Sequence, residues 1–272
     1  MARQVLVALM FVSGTVFAQS PAEEAKAALG RFMDAWNRSD VDAVRAEMNF
    51  PSLTLFGELS IAESPKDFTV DFQRMVDEEH CARSAFAGLD VIRESNEQVH
   101  IVTTYTRFNA KGEPYAGGRM FIIVTNQEGH WGMQFRSPVS DDAGREQHRA
   151  EIRGVIDEFF DAWNREDNDG IHQVVRFPHA FLIGGGRVAA STMPSELNTD
   201  FAGMRAREGW NRSTYDAMEI AYADELLAFV YLTFHRHDRT GDTYRSVPAL
   251  WIVTRDASAW RIQVRIISTS GW

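Results

Sequence analysis

The chain has 272 residues, of which 44% are hydrophobic and 24% charged, a composition typical of a globular protein rather than a disordered one. Its net charge of −10, without a compensating basic stripe, argues against a nucleic-acid partner. The single cysteine, Cys81, cannot form a disulfide within the chain, and no base-bearing motif accompanies it that would make it a nucleophile.

Residues 1–18 have the three-part pattern of a secretory signal. Arg3 supplies the positive charge, residues 5–12 form an apolar run too short to span a bilayer, and small residues stand three before and one before a cut at Gln19. We therefore predict cleavage near Ala18 and export to the periplasm or out of the cell. The mature chain should be soluble, without a membrane span.

The organisation of the chain is set by a long internal repeat. The sequence FMDAWNR at residues 32–38 recurs as FFDAWNR at residues 159–165, a spacing of 159 − 32 = 127. A repeat this long is a whole domain rather than a solenoid unit. We therefore expect four segments: a signal peptide at 1–18, a first domain at 19–137, a linker at 138–147 and a second domain at 148–272.

Both copies predict the same elements in the same order. An amphipathic helix ends at Trp36, and Asp40 is placed to cap a short second helix. The pair Phe50-Pro51 then leads into a short hairpin. A third helix is expected to start at Ser64-Pro65, and an antiparallel meander closes the copy at residues 84–137. Helices followed by a meander predict an α+β layout.

This layout resembles the nuclear transport factor 2-like superfamily, especially its SnoaL-like members. The shared features are the Trp-ended first helix, the Asp-started second helix (Asp40, Asp167), the Phe-Pro pair before the first strand, and a last strand opening on Trp131 or Trp260. The resemblance implies two tandem cone-shaped domains, each a bent antiparallel sheet wrapped around a long N-terminal helix. A pocket would lie at the open end of each cone. Members include isomerases, dehydratases, cyclases and non-catalytic modules, so the resemblance gives no activity.

The expected pocket walls are apolar and aromatic side chains at equivalent positions of the two copies. They are Trp36, Phe72, Met75, Tyr105, Trp163, Phe201, Met204 and Phe234. Each of these side chains also fits ordinary core packing. We predict that the protein holds a small, mostly apolar molecule and that it needs no cofactor. An acid–base enzyme of isomerase, dehydratase or cyclase type, and a non-catalytic interaction module, remain alternatives.

Four residues are candidate acids or bases. Asp90 and Glu219 share a position in the first long strand of each copy, although solvated strand residues give the same pattern. His179 and His235 occur only in copy two, so any acid–base activity is expected there. His235 and His237 could face one side of a strand, but no third ligand is evident, and we predict no metal site.

A set of polar residues also recurs in the closing strands. Arg107, Gln134 and Arg136 have equivalents in copy two. In the last strand they alternate with apolar residues, which predicts that they lie on the outer surface of the sheet or where the two copies meet. An anion site is the alternative. We further predict that the two domains pack sheet to sheet as an internal pseudo-dimer in a mainly monomeric chain.

Overall fold

The computed structural model describes residues 19–140, 145–216, 218–256 and 259–272. The predicted signal peptide and the middle of the predicted linker lie outside these residues. Within them, no helix is long and apolar enough to cross a membrane. We call residues 19–140 the first half and residues 145–272 the second half, because each contains its own set of helices and its own sheet.

The first half is a six-stranded sheet with three helices. Its elements are α1 (Pro21–Asn37), α2 (Val41–Ala46), β1 (Met48–Phe56), β2 (Glu58–Ala62), α3 (Phe72–Asp77), β3 (Arg83–Glu94), β4 (Gln98–Phe108), β5 (Pro114–Gln127) and β6 (His130–Pro138). The strand order is β2-β1-β6-β5-β4-β3. All neighbouring strands are antiparallel except β1 and β6, which are parallel.

The second half repeats this arrangement. Its elements are α4 (Arg145–Asn164), α5 (Asn168–Val174), β7 (Val175–Ile183), β8 (Arg187–Ser191), α6 (Phe201–Glu208), β9 (Arg212–Tyr215), β10 (Glu219–Ala223), β11 (Leu227–His237), β12 (Thr243–Arg255) and β13 (Trp260–Ile267). The order is β10-β11-β12-β13-β7-β8, and β9 also pairs with β11. The α+β class is confirmed. The position of β3 in the first half is taken here by two strands, β9 and β10.

Aspartate caps fix where the short helices begin. The side chains of Asp40 and Asp167 each accept a hydrogen bond from the backbone three residues on, at 3.0 and 2.8 Å, as expected for N-caps. The third helix does not start at Ser64-Pro65, so that prediction is wrong. Pro65–Asp67 is a separate 3₁₀ turn, and α3 begins only after Asp71, whose carboxylate accepts from the Arg74 amide at 2.8 Å.

The first helix of each half packs on the inner face of its sheet through buried apolar residues. At its C-terminal end, the Trp36 ring stacks on Phe32 with centroids 5.7 Å apart and meets Phe72 of α3 edge-on at 5.1 Å. In the second half, Trp163 makes the same two contacts, with Phe159 at 5.7 Å and with an α6 phenylalanine at 5.2 Å. The repeated motif therefore anchors the third helix to the first.

The outer faces of the two sheets share one buried apolar cluster, which we call the inter-sheet cluster. Its members are Leu53, Leu55, Leu59, Val102, Phe121, Ile123, Phe135, Val139, Ala180, Leu182, Phe229, Tyr231, Leu250, Ile252, Val264 and Ile266. At its centre the rings of Phe121 and Phe229 lie 4.7 Å apart, and neither is exposed. Polar contacts border it: Gln98 Nε2 donates to the Ile267 carbonyl at 2.8 Å.

Candidate functional site

A cavity of about 230 Å³ lies between α1 and the inner face of the first sheet. It is lined by Phe32, Met33, Trp36, Phe56, Ser84, Phe86, Tyr105, Arg107, Met120, Met133 and Arg136. Among the residues that the structure describes, no Asp, Glu or His lines it. The wall is therefore largely apolar, with five aromatic rings, and is interrupted by two hydroxyl groups and two guanidinium groups. We call this space the first cavity.

The second half has a smaller cavity, of about 70 Å³, in the equivalent place. Its lining residues are Phe159, Phe160, Trp163, Phe181, Ser213, Phe234, Arg236, Trp251, Arg265 and Ile267. Phe160 stands where the first half has Met33, and Trp251 where it has Ile122. The rings of Phe160 and Trp251 stack at 5.5 Å and 2°, and Tyr215 stacks on Phe160 at 5.0 Å. This aromatic stack fills space that is open in the first half.

The two arginines of the first cavity are held differently. Arg107 donates from Nη1 to the carboxylate of Glu79, which also pairs with Arg74 at 3.2 Å, so the charge of Arg107 is compensated. Arg236 and Glu208 form the equivalent pair in the second half. Arg107 follows Tyr105 by two residues on β4, and the two side chains therefore face the same cavity.

Arg136 is a half-buried part of the wall, and no described Asp or Glu pairs with it. Its Nε donates to Thr54 Oγ1 at 3.3 Å, and its guanidinium lies 5.5 Å from the ring centroids of both Phe56 and Phe68. Burial lowers the pKa of Arg136 to about 10, which still leaves it protonated at neutral pH. It forms no ion pair with a described Asp or Glu. Within the described part of the chain, the first cavity thus contains a positive charge without a carboxylate partner.

The prediction that Arg107, Arg136 and their equivalents lie on the outer surface is wrong, and for Arg136 a β-bulge is the reason. Ile123 of β5 pairs with Phe135, but the next residue along pairs with Met133, so Gln134 is an extra residue in β6. The bulge reverses the alternation beyond it. Phe135 joins the inter-sheet cluster and Arg136 faces the cavity. Gln134 does reach the other half, since its Nε2 donates to the Gly186 carbonyl at 2.7 Å.

The same bulge occurs in β13. Ile252 pairs with Val264 and the following residue pairs with Ile262, which leaves Gln263 as the extra residue. Arg265 is turned into the second cavity as a result. In both strands the apolar residues before and after the glutamine lie on opposite faces of the sheet. No local sequence signal reports this, because the bulge is defined by pairing to the neighbouring strand.

The eight predicted wall residues divide into two groups. One group lines the two cavities: Trp36, Tyr105, Trp163 and Phe234. The other group lies on α3 and α6: Phe72, Met75, Phe201 and Met204. Phe72 and Met75 border, with Trp36, a separate cavity of about 50 Å³, and the α6 residues belong to the second-half core. The wall residues predicted from the sequence did not include Met33, Phe86 and Arg136, which all line the first cavity.

The two candidate carboxylates lie outside both cavities. Asp90 is exposed on β3 and Glu219 is exposed on β10. Glu219 accepts a charge-assisted hydrogen bond from Arg93 at 2.7 Å, which joins the two halves at the border of the inter-sheet cluster. The structure therefore gives Glu219 a role at the contact between the sheets and brings neither carboxylate to a cavity.

The two candidate histidines also lie outside the cavity linings. His235 is half-buried between Ser246 Oγ at 2.8 Å and Asp216 Oδ1 at 3.0 Å. His179 is buried, and its Nε2 accepts a hydrogen bond from Arg265 Nε at 3.1 Å. Burial and the neighbouring Arg265 charge hold the pKa of His179 well below its ordinary value. The described residues contain no group of three or more His, Cys, Asp or Glu placed to hold a metal ion.

No protein-family model matches the sequence, and no curated protein matches it. Several solved structures are similar to parts of the chain. A protein of unknown function with a cystatin-like fold from Nostoc punctiforme is 18% identical, with a TM-score of 0.38, and the match covers 44% of this chain and 89% of that one. An NTF-2 like protein of unknown function from Shewanella oneidensis is 15% identical, with a TM-score of 0.36, over 43% of this chain and 98% of that one.

A ketosteroid isomerase-like protein from Erwinia carotovora atroseptica is 16% identical to this chain, with a TM-score of 0.35. That match covers 45% of this chain and 95% of the other. Proteins of the nuclear transport factor 2-like type, which the sequence resembles, are thus among the solved structures that are similar to parts of this chain. At these identities the likeness says nothing about an activity of this chain.

Proposed function

We propose that this protein is an exported binding protein that holds a small, mostly apolar molecule in the first cavity. The observation that carries the proposal is an aromatic-walled cavity of about 230 Å³ without a lining Asp, Glu or His among the described residues. Such a wall removes apolar surface from water when a ligand enters. It lacks the side chains that usually exchange protons near neutral pH. Binding is therefore favoured over acid–base catalysis.

The side chains of the wall suit adaptable apolar recognition. Phe32, Trp36 and Phe86 offer aromatic surfaces for stacked or edge-on contacts with a ring. Met120 and Met133 add flexible thioether side chains, which can adjust to the shape of a ligand. In the second half, the aromatic stack on Trp251 takes up this room, so we assign ligand binding to the first half alone.

If aromatic side chains fill the first cavity as they fill the second, the protein should no longer bind a ligand. We expect the double variant Met33→Phe, Ile122→Trp to reproduce the stack of Phe160 on Trp251 and to leave no room for a ligand. Native mass spectrometry of wild-type protein purified from its own host should show a retained small molecule, and the double variant should lack it.

The matched control for this experiment is Leu226→Trp, which adds an aromatic side chain at a position that is 63% exposed. It should retain the same mass as the wild type. A ligand that stays bound to a correctly folded double variant would place the binding site elsewhere. Folding of the variant is checked by its thermal unfolding.

We also infer that the two halves act as one internal pseudo-dimer and that the chain is mainly monomeric. The inter-sheet cluster supports this, because it buries apolar residues from both sheets that would otherwise face water. The second half then has a structural role: it covers the outer face of the sheet that carries the binding cavity.

Export is supported by the pattern of residues 1–18. The mature protein is expected to begin at or near Gln19. N-terminal sequencing of protein recovered from the periplasm or the medium checks this. Finding Met1 retained on protein from the cytoplasm would contradict it.

A further inference from the structure

We infer that the molecule bound in the first cavity is an aromatic carboxylate, and that Arg136 binds its carboxylate group. This inference rests on the proposed function and names the class of ligand for the same site. It is carried by the position of a positive charge that no described Asp or Glu compensates.

A buried charge without a partner is unfavourable, and proteins ordinarily pair it. Arg136 donates one hydrogen bond, from Nε to Thr54, whereas its two terminal nitrogens make none to a described residue. The side chain lines the first cavity, so these nitrogens are available to a molecule inside it. A planar guanidinium matches the two oxygens of a carboxylate, and such bidentate pairs are among the strongest hydrogen-bonded contacts.

Arg265, the equivalent of Arg136 in the second half, has different neighbours. The guanidinium of Arg265 lies 4.9 Å from the Phe181 ring and 5.2 Å from the Phe159 ring, and its Nε donates to His179. In the first half, Thr54 occupies the position of Phe181, and Ser52 that of His179. Arg136 therefore lacks the histidine acceptor of the second half, and the rings near its guanidinium are those of Phe56 and Phe68, each at 5.5 Å.

The other polar groups place the anionic end of the ligand at Arg136. Arg107 already pairs with Glu79, and a second carboxylate beside that pair would meet a negative charge. The remaining wall, which includes Trp36 and Phe86, is apolar and suits an aromatic ring. A volume of about 230 Å³ is below the roughly 300–1,000 Å³ of sites for drug-sized ligands, which indicates one or two rings.

The test compares acids with their neutral amides on the full mature chain by titration calorimetry. The probes are benzoate with benzamide, and 2-naphthoate with 2-naphthamide. Wild-type protein should bind at least one acid about tenfold or more tightly than its amide, because only the acid can form the charged pair. Arg136→Met should lower the affinity for that acid by about the same factor and leave the affinity for the amide unchanged.

Two further variants complete the test. Arg187→Met removes one positive charge from an exposed position on β8, and it should keep the preference for the acid. Arg136→Lys keeps the charge without the planar fork and should reduce the preference without removing it; it also serves if Arg136→Met does not fold. Equal binding of acid and amide by the wild type, or an undiminished preference in Arg136→Met, would overturn this inference alone. Binding of neither pair would overturn the proposed function as well.

Discussion

Replacing Phe121 with alanine should lower the free energy of unfolding by about 3–5 kcal/mol and destabilise both halves together. Phe121 is fully buried on the outer face of β5. Its ring lies 4.7 Å from Phe229, 6.2 Å from Phe135 and 5.6 Å from His100. Truncation would leave a void between the two sheets that these side chains could only partly close. Urea unfolding, followed by circular dichroism and by tryptophan fluorescence, measures the change.

The truncation also tests the proposed pseudo-dimer. If the inter-sheet cluster joins the halves, the two spectroscopic signals should coincide in one transition, and Phe229→Ala should have a similar effect from the other side. Val76→Ala is the control, since Val76 is 50% exposed and its truncation should change stability by less than about 0.5 kcal/mol. Two separate transitions, of which only one responds to Phe121→Ala, would show that the halves unfold independently.

The parts of the fold that sequence predicted are those set by local rules. The spacing of apolar residues up to Trp36 reports a helix face, and Asp40 caps the next helix with its own side chain. Both signals lie within a few residues of the structure they specify. The third helix was misplaced because Ser64-Pro65 is also a valid local start signal, which here begins only a 3₁₀ turn.

The candidate site was predicted less completely because its geometry depends on pairing between distant strands. Whether Gln134 is an extra residue is decided by its register against β5, and that register determines which way Arg136 points. Likewise, Phe160 and Trp251 are 91 residues apart (251 − 160), and nothing local indicates that their rings stack and fill the second cavity. Asp90 and Glu219 share a position and are both exposed, which is the solvated alternative that the sequence left open.

The second large effect expected is a loss of stability below pH 6.5 that is due to His100. This side chain is fully buried in the contact between the sheets. Its Nε2 hydrogen-bonds with Gln98 Oε1 at 3.0 Å and its Nδ1 with the Tyr231 hydroxyl at 2.8 Å. Because Gln98 Oε1 can only accept, Nε2 carries the proton and Nδ1 accepts from tyrosine. Burial, together with the positive charge of Arg93, lowers the pKa of His100 to about 3.

The direction of the pH effect follows from the different pKa of His100 in the folded and unfolded chain. Between pH 6.5 and pH 3 the unfolded chain binds a proton at His100 that the folded chain does not bind, so stability falls as the pH falls. From pH 6.5 to pH 5 the loss from this residue is about 2 kcal/mol. Buried His179, whose pKa is also lowered, adds a loss of the same sign. Carboxylates with lowered pKa, such as Glu97, contribute only at more acidic pH.

The measurement is the slope of unfolding free energy against pH between 5 and 7, from urea titrations of residues 19–272. His100→Gln should lower stability at pH 7, because the bonds to Gln98 and Tyr231 are disturbed. It should also reduce the slope, by the equivalent of about one proton near pH 5 and by less toward pH 7. His80→Asn is the matched control: His80 is exposed and has φ 55°, a backbone conformation that asparagine tolerates. That variant should keep the wild-type slope. An unchanged slope in His100→Gln would mean that the buried imidazole becomes protonated without unfolding, and that the contact between the sheets opens to water.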